Sequence, residues 1–401
     1  MTSPDSRQLP LAGLKVLELG QLIAGPFATK LLGEFGADVI KVEPPGTGDP
    51  LRKWRIIEDG TSLWWHVQSR TKRSMTLDLR SEEGQAMVRR LAAEADVLVE
   101  NFRPGTLEGW GLGYEALAEH NPGLIMVRVS GFGQTGPYRD KPGFGVIGEA
   151  MGGLRYLTGQ PGEPSVRVGV SIGDSLSALY AVIGTLLALQ ERSRSGLGQQ
   201  IDVALYESVF AMMESLLPEY DAAGQVREPS GSALPGITPS NAYRTRSGDY
   251  VLIAGNGDSI FKRLMGVIGR ADLADDPDLA HNDGRSRQAE RIDAAIEAWT
   301  LERDRDAILA ALDDARVPAG YPYTAADIAN DPHYLAREMI QTITRPDGKP
   351  LRVPGVLPRL SATPGRLGEG GPALGQHTDE VLDELGIDSE TRAKLRAAGI
   401  I

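Results

Sequence analysis

The chain has no cysteine. Disulfides, thiolate nucleophiles and Cys-ligated metal sites are therefore excluded. Aromatic residues are scarce, at 6% of 401 positions. The five histidines, His66, His120, His281, His333 and His377, show no H-x3-H spacing, so no metal site is expected. An excess of basic residues is missing too: 42 Lys and Arg stand against 54 Asp and Glu, a net charge of −12. That balance argues against nucleic acid or a membrane surface as partner, because both select basic surfaces. A local basic pocket for a phosphorylated ligand remains open. No run approaches 18 apolar residues without a charge, so no membrane span is expected. The opening M-T-S-P-D-S-R-Q-L-P lacks the apolar core of a signal peptide, and a cytoplasmic location is expected.

What is present reads as a soluble chain too long for one core. Leu14–Leu19 reads as a strand, Ala24–Phe35 as a helix entered through Gly25-Pro26, and Ala37–Glu43 as a strand closed by Pro44-Pro45. This unit predicts a right-handed crossover and a doubly wound sheet. Further strands are expected at Ser74–Leu79, Asp96–Glu100, Leu124–Val129 and Gln200–Leu205. Ser81–Glu94 reads as a helix capped by Ser81, and Tyr206–Leu217 as another helix. After a Gly/Pro/Ser-rich stretch at Gly224–Pro239 the pattern changes to a hairpin over Ala242–Ala254, followed by charged helices. Ala326–Glu338 reads as helical, and Thr378–Gly399 as two short helices with Thr378 as N-cap. The expected fold class is α/β: a doubly wound, Rossmann-like large domain plus a smaller α+β domain. Residues 1–205, completed by 376–401, form the large domain, 241–325 the small one, and 206–240 and 326–375 are linkers.

Val168–Leu189 organises the rest. It is extended, breaks at Gly173, and continues as a helix that is apolar nearly all round, predicting burial. Asp174 sits at the break. As an N-cap it would satisfy the first backbone N–H groups at the positive end of the helix dipole. As a carboxylate at the mouth of a buried helix it would also be a candidate nucleophile or acid–base group. Residue type alone leaves both readings open. Gly20, Gly25 and Gly33 do not have G-x-G-x-x-G spacing, which disfavours a nicotinamide cofactor. Asn101-Phe102-Arg103 and the glycine loop Ser130–Tyr138 follow strands, at the carboxyl ends where α/β sheets bind ligands.

Several blocks read together: L-I-A-G-P-F-A-T-K-L-L-G-E-F-G-A-D-V-I-K-V-E-P-P-G-T-G-D-P, V-E-N-F-R-P-G, S-G-F-G-Q-T-G-P-Y, G-D at 173–174 and L-G-Q-H-T-D-E-V-L. In this order, from about Leu11 to Ile401, they resemble the family III CoA-transferases. The resemblance implies a catalytic aspartate at Asp174 and a homodimer interlinked like chain links. It also implies no permanently bound cofactor, with a coenzyme A thioester as substrate. Carried over residue by residue, Ile23 and Ala24 match the loop beside the CoA adenine. Leu77 and Arg80 match a CoA-lining pair, and Asn101 and Phe102 a CoA-contacting pair. A basic family residue is replaced by Gly109, for which Arg103 is a nearby substitute. Lys141 lies near a lysine placed by the cofactor. Phe144 stands where the family often has Tyr. The next position, commonly acidic, is Gly145, and Glu149 one helical turn on is its candidate replacement.

The chemistry so implied is acyl transfer through an aspartyl anhydride and an aspartyl-CoA thioester. Gly255 and Gly257 are candidate oxyanion donors. R-V-G-V-S-I-G-D-S and G-F-G resemble members acting between succinyl-CoA and small dicarboxylates. Arg52, Arg55, Arg73, Arg167 and Arg244 are candidate partners for a distal carboxylate. An α-methylacyl-CoA racemase needs a second acid–base group, and no histidine lies between His120 and His281. A non-catalytic CoA-binding protein, with Asp174 only a cap, is the remaining alternative.

Overall fold

The computed structural model describes residues 8–401. At its centre six parallel strands form one sheet: β1 (Lys15–Glu18), β2 (Asp38–Glu43), β3 (Lys72–Thr76), β4 (Val97–Glu100), β5 (Ile125–Ser130) and β6 (Gln200–Ala204). Their order is β3-β2-β1-β4-β5-β6. Parallel strands are buried on both faces, so successive side chains feed opposite cores. Leu17, Leu98 and Met126 enter one core, and Val16, Val97 and Val127 the other. The second core is closed by α1 (Ala24–Glu34). The first is closed by α2 (Glu82–Glu94), where Ser81 caps the Gly84 N–H at 3.0 Å. The sheet runs outward from β1 in one direction and from β4 in the other. The reversal between them opens a crevice outside the carboxyl ends, the usual ligand position in such sheets.

Three short or long helices then shape that edge: α3 (Gly145–Met151), α4 (Ile172–Ser195) and α5 (Leu205–Phe210). The expected burial of α4 on all sides is not found. Its inward face is made of small residues, Gly173, Ser177, Ala178, Ala181, Thr185 and Ala188. Leu179, Ile183, Leu186 and Leu187 are 44–66% exposed. Small side chains let the α4 backbone approach its neighbours closely, which turns the large ones outward. Among the described residues α4 alone is long and apolar enough to cross a membrane by length and composition. Its packed small-residue face and the carboxylate in its first turn are also those of a helix lying on a protein core.

A second compact unit has an antiparallel sheet of β7 (Ser240–Arg244), β8 (Tyr250–Ala254) and β9 (Ala319–Gly320). Its core joins Tyr243, Val251 and Ile253 to residues of α6 (Asp258–Val267), α7 (Ala289–Thr300) and α8 (Arg305–Asp314). This unit comprises Tyr156–Arg167 and Gly224–Pro332, and the large unit holds the residues up to Arg155, Val168–Ala223 and His333–Ile401. Residues 206–223 and 333–375, read from sequence as connectors, thus pack within the large unit. The chain ends with a hairpin of β10 (Ile340–Thr344) and β11 (Pro350–Pro354), then α9 (Thr378–Glu384) and α10 (Ser389–Ala397), the last two closing the first core.

Several boundaries differ from expectation for local reasons. β3 starts two residues before Ser74 and stops at Thr76, because its partner β2 ends at Glu43, before Pro44. The helix expected over Tyr206–Leu217 stops at Phe210, ahead of Glu214 with its left-handed φ of 51°. The helix expected over Ala326–Glu338 is split before Pro332, which disfavours helical geometry in the residue preceding it. Thr378 is the first residue of α9 rather than its cap, and its hydroxyl accepts the Thr76 N–H at 3.0 Å.

Candidate active site

A lysine inside a buried strand needs partners, and Lys41 in β2 has three. Its ammonium donates to Glu18 at 2.7 Å and to the Gly20 carbonyl at 2.9 Å, and pairs with Asp49 at 2.8 Å. Lys72 adds a second cation, 2.8 Å from Glu18 and 2.7 Å from the Pro26 carbonyl. Asp49 accepts the Leu22 N–H through both oxygens at 3.1 Å, holding Leu22 at a φ of 65°. These buried ions therefore grip the Gly20–Pro26 backbone from beneath. Burial alone would raise Glu18, but Lys41 and Lys72 overcome it and hold the carboxyl down to about 2. Burial lowers Lys72 to about 8, with Glu18 opposing.

Across the crevice, β4 delivers Glu100 and then Asn101. The Asn101 amide donates to the Gln21 carbonyl and its oxygen accepts the Gln21 N–H, both at 2.8 Å. This two-way clamp joins the loops after β1 and β4 at the reversal of strand order. Phe102 donates its N–H to Glu100 at 2.7 Å and packs edge-on to Trp110. Glu100 is buried against Arg128 at 2.7 Å. Burial pushes it up to about 7, with Arg128 drawing it only part of the way back.

Asp174 is the third residue of α4, not its cap; the cap position is Ser171. Its carboxylate lies in the first turn of a 24-residue helix, where the dipole favours an anion. The Gly131 and Gly143 backbones meet so closely that a Cβ on either would lie 2.6–2.7 Å from the other's Cα. That contact pins the loop leading into α3 against the end of β5. At Gly145, the first residue of α3, a Cβ would fall 2.3 Å from Asp174 Oδ2. An acidic side chain at that position is therefore incompatible with this placement of Asp174. Glu149 does not line the cavity described next. It is buried behind it, its Cγ 3.3 Å from where a Gly173 Cβ would stand.

A cavity of about 190 Å³ opens onto Asp174. Of the residues singled out in the sequence, Ile23, Ala24, Asn101, Phe102, Arg103, Lys141 and Phe144 line it. So do Gln21, Trp54 and Arg139, which sequence reasoning missed. A second cavity of about 490 Å³ is lined by Leu77 and Arg80 together with Pro44, Pro45 and Trp110. Gln21 and Phe102 form walls of both. Arg80 is largely exposed and pairs with Asp78 at 3.0 Å. Gly255 and Gly257 belong to the small unit, just after β8.

Most of the arginines proposed for a distal carboxylate are engaged elsewhere. Arg52 grips Glu43 bidentately at 2.7 and 2.8 Å and stacks on Trp65. Arg73 is held by Asp38, Glu380 and Glu384. Arg55 lies over Trp64. None of these three lines the Asp174 cavity. Arg167 and Arg244 belong to the small unit. The cavity's cations are instead Arg103, Arg139 and Lys141, the last with its ammonium 3.6 Å from the Tyr138 ring centre.

The sequence profile of CoA-transferase family III matches residues 11–378. Over 98% of both chains, the protein is 52% identical to the succinyl-CoA–D-citramalate CoA-transferase of Chloroflexus aurantiacus. It is 42% identical to the alpha subunit of a succinyl-CoA–L-malate CoA-transferase from Chloroflexus aurantiacus, over 100% of this chain and 95% of that one. Among solved structures, a CAIB/BAIF family protein from Brucella suis superposes with a TM-score of 0.83 at 38% identity, covering 94% of this chain and 100% of the other.

Proposed function

The chain belongs to CoA-transferase family III, and on that premise we propose that it moves CoA from succinyl-CoA to a small dicarboxylic acid through covalent intermediates on Asp174. The observation that carries this reading is the placement of Asp174 in a cavity whose other charged walls are Arg103, Arg139 and Lys141. The pantetheine of the thioester would run past Phe102, the wall that the two cavities share. Relatives named for succinyl-CoA with citramalate or malate support the substrate class.

The Asp174 carboxylate attacks the thioester carbonyl carbon, the C–S bond breaks, and CoA leaves as thiolate. The product is a mixed anhydride. The thiolate then attacks the Asp174 acyl carbon and expels succinate, leaving an aspartyl-CoA thioester. The acceptor carboxylate repeats both steps in reverse and regenerates Asp174. No proton and no ATP is consumed. The attacking group must be ionised, which the α4 dipole favours. The lining of this cavity includes no histidine, the residue type that would serve a racemase as second base. We also propose that a second copy covers the exposed apolar face of α4, giving the interlinked homodimer; light scattering tests this.

Incubation with succinyl-CoA and hydroxylamine should leave a hydroxamate on the peptide holding Asp174, seen by mass spectrometry. Asp174→Ala should abolish the adduct and lower kcat by at least about a thousandfold. Deuterium entering the α-carbon of a 2-methylacyl-CoA, with no adduct, would replace the transferase mechanism by racemisation.

A further inference from the structure

Resting on the dicarboxylate reading above, we infer that Arg139 is the residue that recognises the distal carboxylate and so selects dicarboxylic over monocarboxylic substrates. The argument starts from what an Asp174 transferase must hold. One end of the acyl group is a thioester carbonyl placed against Asp174. The other end of a succinyl group is a full negative charge a few ångströms away. A carboxylate taken into a cavity needs a cation or hydrogen-bond donors, because an unpaired buried charge is costly.

Three cations line the cavity, and their surroundings differ. Lys141 is exposed, with its ammonium over the Tyr138 ring. Arg103 is exposed and follows Phe102, the wall shared with the Leu77–Arg80 cavity. Arg139 is the half-enclosed one. Its Nε is buried and makes no hydrogen bond. Its ion pair with the exposed Asp140 is long, at 3.8 Å. Its Nη2 lies against Gly105, where even a Cβ would be only 3.7 Å away. Arg139 is thus a planar donor set at the cavity wall whose buried Nε takes no protein hydrogen-bond partner. A carboxylate oxygen is the partner such a fork takes best, with two parallel hydrogen bonds. Selection then has two sources. A dicarboxylate gains the pair, and a monocarboxylate of equal length leaves the guanidinium with only its long contact to Asp140.

The test separates recognition from turnover by using Asp174→Asn protein, which binds thioesters without reacting. Affinities for succinyl-CoA, butyryl-CoA and free CoA are measured by calorimetry. The two acyl groups have four carbons each and differ only in the terminal carboxylate. With Arg139 intact, succinyl-CoA should bind about tenfold to a hundredfold more tightly than butyryl-CoA. Adding Arg139→Gln should erase that difference and leave free CoA unchanged, and Arg139→Lys should restore part of it. Unchanged free-CoA binding also shows that each variant is folded. A succinyl preference that survives Arg139→Gln, or an equal loss for all three ligands, overturns the assignment. If Asp174→Asn protein with Arg139 intact shows no succinyl preference, the dicarboxylate reading itself fails, and the role of Arg139 falls with it.

Discussion

Glu18 and Glu100 end two adjacent parallel strands, and both are almost wholly buried. Each is the last residue of its strand, yet Glu18 is held at about 2 and Glu100 is raised to about 7. The difference is one of charge stoichiometry. Glu18 and Asp49 are matched by Lys41 and Lys72, and Thr29 donates a further hydrogen bond. Glu100 has only Arg128, which Glu108 also claims. Glu18, faced by two cations, is held ionised, and Glu100, which shares its cation, sits near neutrality. The two walls of the crevice are therefore built differently. The Gly20–Pro26 wall rests on a carboxylate that two lysines hold ionised. The Asn101–Phe102 wall hangs on a carboxyl that titrates in the physiological range.

That contrast can be broken from the first side with Lys41→Met. It leaves Glu18 and Asp49 short of a cation, and removing one partner of a buried pair costs roughly 3–5 kcal/mol. Urea unfolding should show this loss; a loss below about 1 kcal/mol would mean that Lys72 alone suffices. Glu100→Gln sharpens the contrast from the other side. A carboxyl whose folded pKa lies above its ordinary 4.5 binds more protons folded than unfolded between the two values. Stability should therefore fall as pH rises from about 4.5 to about 7, by roughly 3 kcal/mol for this group. The variant should lack that component when wild type and Glu100→Gln are compared at pH 5 and pH 8. Equal slopes would show that Arg128 keeps Glu100 ionised throughout. The smallest effect is expected where the walls meet. Asn101→Ala removes both bonds to Gln21, and free CoA should bind about tenfold more weakly by calorimetry. Unchanged affinity would mean that the Glu18 cluster positions the loop unaided.

Much of the fold was legible because buried parallel strands are continuous apolar runs. L-K-V-L-E-L, D-V-L-V-E and L-I-M-V-R-V declare themselves. β3 was misplaced because its first residues are Lys72 and Arg73, whose partners are strands away in sequence. Lys41 was a visible signal, since a lysine within V-I-K-V-E must be neutralised by something. Arg139 stood within Pro137-Tyr138-Arg139-Asp140-Lys141, beside the loop already singled out, and nothing local distinguished it from Arg52 or Arg73. Only packing shows that Arg52 and Arg73 are engaged and that Arg139 keeps a buried N–H without a partner.

The sequence by itself determined the strand and helix periods, the breaks at glycine and proline, and the placing of Asp174 at the start of a long helix. These depend on neighbours a few residues apart. Tertiary structure alone decided that α4 buries its small face and exposes its leucines, and that Gly145 must lack a side chain beside Asp174. It also decided which buried acids keep their charge. Each of these outcomes depends on groups distant in the chain, because close packing and Coulomb interaction act through space rather than along the backbone.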